Sequence, residues 1–192
     1  MTKPFTMTPI WAGQTVAVLA SGASLTQEVA DSVKHLPRIA VRRAFRLAPD
    51  ADFLLSLDGP PNHGFWDESR TFAGIRICGV ECDELDAMYA NLPAELVTVG
   101  PAEQIQIRNN GLSAIRLAAL SGATTIILLG FDGLPYKHFY DEVDGDWDQY
   151  PGLAAGLAAL MCELRAQGII IETDAPPLPA AALEKRPTAK AQ

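Results

Sequence analysis

The chain has 192 residues, 48% of them hydrophobic and 20% charged, which suits one core of ordinary domain size and excludes a wholly disordered chain or a low-complexity fibre. Fifteen Lys and Arg against 23 Asp and Glu leave a net charge of −8. That excludes broad binding to a phosphate backbone, though not a local basic pocket for one nucleotide. Three cysteines, Cys78, Cys82 and Cys162, form no CxxC pair, which argues against a disulfide framework or a zinc knuckle and for a reducing, cytoplasmic setting. Residues 4–27 are uncharged, but Pro9, Gly13 and Gln14 interrupt the apolar run that a signal peptide needs. The uncharged stretch 117–131 is shorter than the ~20 apolar residues of a membrane span, so none is expected.

Residues 1–12, with Pro4 and Pro9, are expected as an N-terminal arm. Residues 16–20 form a short apolar run of the kind found in strands covered on both faces, and they lead straight into Ser21-Gly22-Ala23-Ser24. Ser24 with Gln27 fits a capping box, and Leu25, Val29 and Val33 then share one side of a helix that ends near His35 and Pro37. Strands follow at residues 38–41 and 51–57, the latter stopped by Asp58-Gly59-Pro60-Pro61. Two more are expected at 74–78 and 96–99. Asn109 or Asn110 can cap a helix with Leu112, Ile115, Ala119 and Leu120 on its apolar side, ended by Gly122. Residues 124–129 are a buried strand that halts at Gly130-Phe131-Asp132-Gly133. Pro151 suits the first turn of a last helix, with Leu153, Leu157, Leu160, Met161 and Leu164 inward and Gly168 after it. Residues 169–171 close the series.

Strands alternating with helices predict a Rossmann-like three-layer α/β/α fold with a mostly parallel sheet. It would occupy residues 1–176 as a single nucleotide-binding domain, with 177–192 as a loosely held tail. Ligands of such sheets sit beyond the carboxyl ends of the strands, which selects Ser21, Gly22, Ala23, Ser24, Asp58, Asp132 and Thr173-Asp174 as residues of interest.

The turn from Ser21 to Ser24 joins a strand to a helix start, where backbone N–H groups favour an anion. It is neither a GxGxxG nor a Walker loop, and a simple serine-capped turn fits it as well. Arg108, Asn109, Asn110 and Gly111 make a second polar helix entrance able to grip a base, a sugar or a phosphate; capping accounts for one asparagine but not for both. Arg42 and Arg43 after the second strand can meet a phosphate or simply lie in solvent. His138 sits in a loop with Tyr136, Phe139 and Tyr140, where a pKa near ~6.5 suits a general base; a structural loop histidine is the plainer alternative. Residues 141–148 hold five carboxylates. They are not an EF-hand, since Gln149 and Ala155 stand where Gly and Glu are required. Asp144-Gly145-Asp146 matches the Asp-x-Asp pair of many glycosyltransferases, but a solvated loop explains it too.

Several of these fragments occur in the order of a known group: residues 16–25, 46–55 with Asp58, 110–132, and His138-Phe139. Over residues 14–175 the chain resembles phage and prophage proteins similar to bacterial lipooligosaccharide sialyltransferases. More distantly it resembles the archaeal-type hydroxymethyl-pterin pyrophosphokinases. The first resemblance implies a cytidine nucleotide donor held at Gly22, Ala23 and Ser24 and at Asn109, Asn110 and Gly111, with His138 as base and no metal. The chain departs from that pattern at Arg42, where asparagine is usual, at Asn110, where serine is usual, and at Ala23, where proline is usual. Arg42 in place of asparagine could change the ligand, for example by meeting a phosphate instead of a sugar edge.

The expectation is therefore a nucleotide-binding transferase, most like a glycosyltransferase using a nucleotide-activated sugar donor, with no cofactor. One alternative is pyrophosphoryl transfer from ATP, which would need Mg²⁺. Another is a non-enzymatic phage accessory protein that binds a nucleotide or a protein partner. Homo-oligomerisation stays open.

Overall fold

The structure, a computed structural model, describes residues 3–4, 8–57, 65–78, 96–98, 109–132, 138–140 and 153–173. In chain order these contain β1 (Lys3–Pro4), β2 (Thr15–Leu19), α1 (Gln27–Ser32), β3 (Arg38–Val41), a 3₁₀ turn (Arg42–Arg46) and β4 (Phe53–Ser56). There follow α2 (Phe65–Glu68), a second 3₁₀ turn (Ser69–Thr71), β5 (Ile75–Cys78), β6 (Leu96–Thr98), α3 (Asn110–Leu120), β7 (Thr125–Leu129), α4 (Leu153–Ala166) and β8 (Ile170–Thr173). The described strands form one sheet in the order β1-β6-β5-β4-β3-β2-β7-β8, and every pairing among them is parallel.

Successive side chains of a strand point to opposite faces, and each face of this sheet has its own core. Val16, Val18, Ile39, Val41, Phe53, Leu55, Ile126 and Leu128 meet α3 and α4 through Leu112, Ile115, Leu160 and Leu164. On the other face Ala17, Leu19, Ala40 and Leu54 lie with Leu25, Ala30, Val33, Phe45, Phe65 and Phe72. Alanines at Ala17 and Ala40 let the short helix α1 lie close to the sheet, while the β-branched side fills the space under the longer helices. The fold is thus the expected three-layer α/β/α arrangement. Stepping outward from β2 to β3 and from β7 to β8 in opposite directions puts the crossovers on opposite faces, as right-handed connections require.

Two elements differ from the sequence expectation, and one buried charge lay outside it. The cap of α1 is Thr26, whose side chain accepts a hydrogen bond from Val29 N–H at 3.2 Å; Ser24 lies two residues earlier in a turn. The stretch expected as an arm enters the fold twice. Lys3–Pro4 pairs with Val97 and Thr98 at the sheet edge, and Trp11 is buried with its ring 4.9 Å from that of Phe53. The Trp11 and Gly13 amides donate to the carbonyls of Ser121 and Gly122, which fastens this segment below α3. Finally, Arg76 of β5 is fully buried, and its guanidinium donates to the carbonyls of Ser69, Arg70 and Phe72 at 2.6–2.9 Å. Burial pulls its pKa down, and the carbonyls at the end of the second 3₁₀ turn hold the charge.

Residues 133–137 and the acidic loop 141–148 lie outside the described residues, as do Pro151 and the tail from 177 onward. No described helix is long and apolar enough to cross a membrane.

The layer formed by α3 and α4 sets a stability contrast. Leu164 is 1% exposed and Leu120 38%, so Leu164→Ala loses ~2–5 kcal/mol through lost transfer energy and a cavity. Leu120→Ala stays within about 0.5 kcal/mol; urea unfolding of the two variants measures both.

Candidate functional site

The strand order reverses beside β2: β3 and β4 extend to one side, β7 and β8 to the other. In open parallel sheets the crevice at the carboxyl ends of the strands flanking such a reversal receives the ligand. Here those ends are Ala20 to Leu25 after β2 and Gly130 to Asp132 after β7.

The β2–β7 ladder continues into this region. Ala20 N–H donates to Leu129 C=O at 2.8 Å and Gly22 N–H to Gly130 C=O at 3.0 Å. Glycine is required at position 22, because a Cβ there would run into the Gly130 carbonyl oxygen and stand 2.7 Å from Asp132 Oδ2. Asp132 uses both carboxylate oxygens on one residue: Oδ2 accepts from Ser24 N–H at 2.7 Å and Oδ1 from the Ser24 hydroxyl. Ser21 Oγ donates to Val41 C=O at 3.2 Å, tying the turn to the end of β3. From the far side, Phe139 N–H donates to Ser21 C=O at 3.1 Å, and His138 pairs with Gly22 as an antiparallel bridge. The structure therefore brings Ser21, Gly22, Ser24, Asp132 and His138 into one cluster.

Of the backbone donors in the turn, those of Gly22 and Ser24 are satisfied by the protein itself. Leu25 N–H returns to Gly22 C=O at 3.1 Å. Among the described residues, Ala23 N–H has no protein acceptor. Ser21 N–H likewise has none among the described residues, so an anion at this turn meets at most two amides rather than a full nest, with a carboxylate beside it.

The second helix entrance stands next door. Asn109 is the cap of α3, its Oδ1 accepting from Leu112 N–H at 3.0 Å. Asn110 Oδ1 accepts from Leu57 N–H at 2.5 Å, so it binds the chain just past β4, immediately before Asp58. Capping and this bond together account for both asparagines' oxygens. A Cβ on Gly111 would stand 2.9 Å from Cε1 of Phe131. The two entrances thus share the three residues Gly130-Phe131-Asp132, with Phe131 against Gly111 and Asp132 on Ser24. Asp58 itself, His63, Arg108 and Asp174 lie outside the described residues.

Arg42 has a φ of +50°, the one positive value among described non-glycine residues. For a residue with a Cβ the left-handed region costs about 1–2 kcal/mol, and such strain gathers at functional sites. It stands directly after Val41, whose carbonyl Ser21 holds.

Sequence reasoning did not find the group that surrounds Tyr140. Its ring stacks on His138 with centroids 4.8 Å apart at 22°, and the guanidinium carbons of Arg43 and Arg46 each lie 5.3 Å from its centroid. Both arginines also pair with Glu68, Arg43 at 3.2 Å. Such cation–π contacts are worth about 0.5–1 kcal/mol each at partly exposed positions. Burial raises the Glu68 carboxyl, but the hydrogen bonds from Arg46 and Arg43 outweigh it and hold the group below the usual glutamate value. The spacing of Arg43 and Arg46, one turn apart, was a signal on the page; Glu68, 22 residues beyond Arg46, was not. Arg43, which the sequence left open between a phosphate and solvent, shares its charge with Glu68.

No family model, curated protein or solved structure matches this chain.

Two measurements follow from this geometry. Position 42 in a left-handed conformation reverses the usual order of small residues, so Arg42→Gly is more stable than Arg42→Ala by about 1 kcal/mol in urea unfolding; equal stabilities contradict the strain. Because the Glu68 carboxyl is depressed in the folded protein, its contribution is fully present above the unfolded value near ~4.3 and fades as pH falls through the lower folded value. The stability difference between wild type and Glu68→Gln, followed from neutral pH downward, shrinks in that acid range and not above it.

Proposed function

We propose that this chain is a nucleotide-binding transferase, most like a glycosyltransferase that uses a nucleotide-activated sugar donor. The observation that carries the reading is the bridge between His138 and Gly22: it pairs a histidine-bearing loop with the glycine turn at the reversal of the sheet. The support otherwise comes from the crevice position of that turn and from the resemblance to phage and prophage proteins similar to bacterial lipooligosaccharide sialyltransferases.

In this reading the donor's phosphate side lies at Ala23 N–H and Arg42, since the Gly22 and Ser24 amides have protein acceptors. The nucleotide lies toward Gly111 and the positive end of α3, an 11-residue helix whose first N–H groups carry partial positive charge. Asp132 is a scaffold group that fixes the turn. The acceptor hydroxyl oxygen forms a bond to the anomeric carbon while the bond from that carbon to the phosphate oxygen breaks. His138 takes the hydroxyl proton, and the nucleotide leaves with the electron pair.

Thermal unfolding in the presence of CMP, UDP, GDP and ATP compounds, with and without Mg²⁺, tests the reading. A cytidine nucleotide at about 100 times its Kd raises stability by ~2.7 kcal/mol without metal. Stabilisation by ATP alone, and only with Mg²⁺, replaces the reading with pyrophosphoryl transfer. His138→Ala lowers donor turnover by about 10²–10⁴-fold at unchanged nucleotide affinity; binding without turnover in the wild type makes the chain an accessory nucleotide-binding protein.

A further inference from the structure

The Gly22–His138 pairing joins backbones, and it leaves the imidazole to be aimed by something else. The ring's one described aromatic partner is Tyr140, two residues on, at 4.8 Å between centroids and 22° from parallel. Tyr140 is in turn fixed from three directions. Phe139 meets it edge-on at 5.1 Å and 86°. Arg43 and Arg46, from the 3₁₀ turn after β3, each bring a guanidinium to 5.3 Å from its centroid. Glu68 at the end of α2 holds both guanidinium groups through its two carboxylate oxygens, Oε2 for Arg43 and Oε1 for Arg46. Two arginines from a distant part of the chain, held in turn by Glu68, therefore flank one ring, and that ring lies against the histidine.

The chemistry of the contacts says which part of Tyr140 matters. A guanidinium over an aromatic face is drawn to the ring's negative face, and stacking likewise uses the π-system. Neither needs the phenol hydroxyl. One carboxylate shared by the two arginines cancels one of their two positive charges, so the pair flanks the ring with a net charge of about +1 rather than +2 beside the imidazole. The arrangement suits orienting a base more than holding a ligand anion, because Arg43 and Arg46 are already engaged by Glu68.

We infer that Tyr140, clamped by Arg43, Arg46 and Glu68, is the positioning residue that fixes the imidazole of His138 over the glycine turn. This rests on the reading of His138 as the general base. Tyr140 touches the histidine and acts through it.

The test compares Tyr140→Phe and Tyr140→Leu in the full chain, with His138 ring protons followed by NMR after assignment through His138→Gln, and with donor turnover measured in parallel. Stacking imposes a ring-current shift on those protons. Tyr140→Phe keeps that shift and keeps kcat. Tyr140→Leu moves the protons toward free-histidine values and lowers kcat by about 10²-fold, as small misplacement of a reacting group does, with KM changed less than about twofold. Should Tyr140→Leu fail to fold, the double variant Arg43→Met with Arg46→Met is read the same way, and it moves the His138 protons in the same direction. Unmoved His138 protons in these variants, or a kcat lost equally in Tyr140→Phe, overturn the positioning role while leaving the base reading intact. Moved protons with turnover that survives His138→Ala overturn the base reading, and the positioning role with it.

Discussion

Everything at the carboxyl edge depends on the pairing of β2 with β7, the two strands that lie side by side where the sheet changes direction. Their ladder runs beyond the last strand residues to Gly22 and Gly130. Absence of a side chain at Gly22 is what permits it, since a Cβ there would collide with the Gly130 carbonyl and crowd Asp132. Once the ladder is continuous, the Asp132 carboxylate falls opposite Ser24 and accepts from both its amide and its hydroxyl. The described residues of the late loop, His138 and Phe139, then pair with this turn at Gly22 and Ser21.

This arrangement changes what a glycine turn means. A strand-to-helix turn with exposed amides is a generic anion site, but here a carboxylate of the same chain has taken part of that capacity. Cation density lies to one side, on Arg42, Arg43 and Arg46 after β3, and Glu68 shares its one carboxylate between Arg43 and Arg46. In a chain of net charge −8 such a local patch offsets part of the repulsion an anionic small molecule meets. The strained backbone at Arg42 lies on the same edge.

Much of the architecture could be read from residue patterns because its determinants are local. Apolar runs at residues 38–41 and 124–129 correspond to β3 (Arg38–Val41) and β7 (Thr125–Leu129), and the cap at Asn109 and the stop at Gly122 bound α3. Ser24 misled because a capping pattern of serine and glutamine three apart also fits a turn, and Thr26 competed successfully for the cap. Pro4 and Pro9 suggested a free arm, whereas pairing at the sheet edge and burial of Trp11 depend on partners 94 positions away for Lys3 (Val97) and 42 for Trp11 (Phe53). The same limit explains the site. Glycine and asparagine at helix entrances carry local signals, while the Asp132–Ser24 contact, the approach of Arg43 and Arg46 to Tyr140 and their pairing with Glu68 are made only by the tertiary fold.

The central claim is that a nucleotide occupies the edge between the turn at Gly22 and the start of α3. Amide NMR during titration with a cytidine nucleotide addresses it most directly. The account predicts that the largest shifts fall on Gly22, Ala23, Arg42, Gly111 and His138, with those of Leu120 and Ile170, at the opposite edge of the sheet, unmoved. Shifts concentrated at that opposite edge, or no shift with cytidine, uridine, guanosine or adenosine nucleotides, would contradict it.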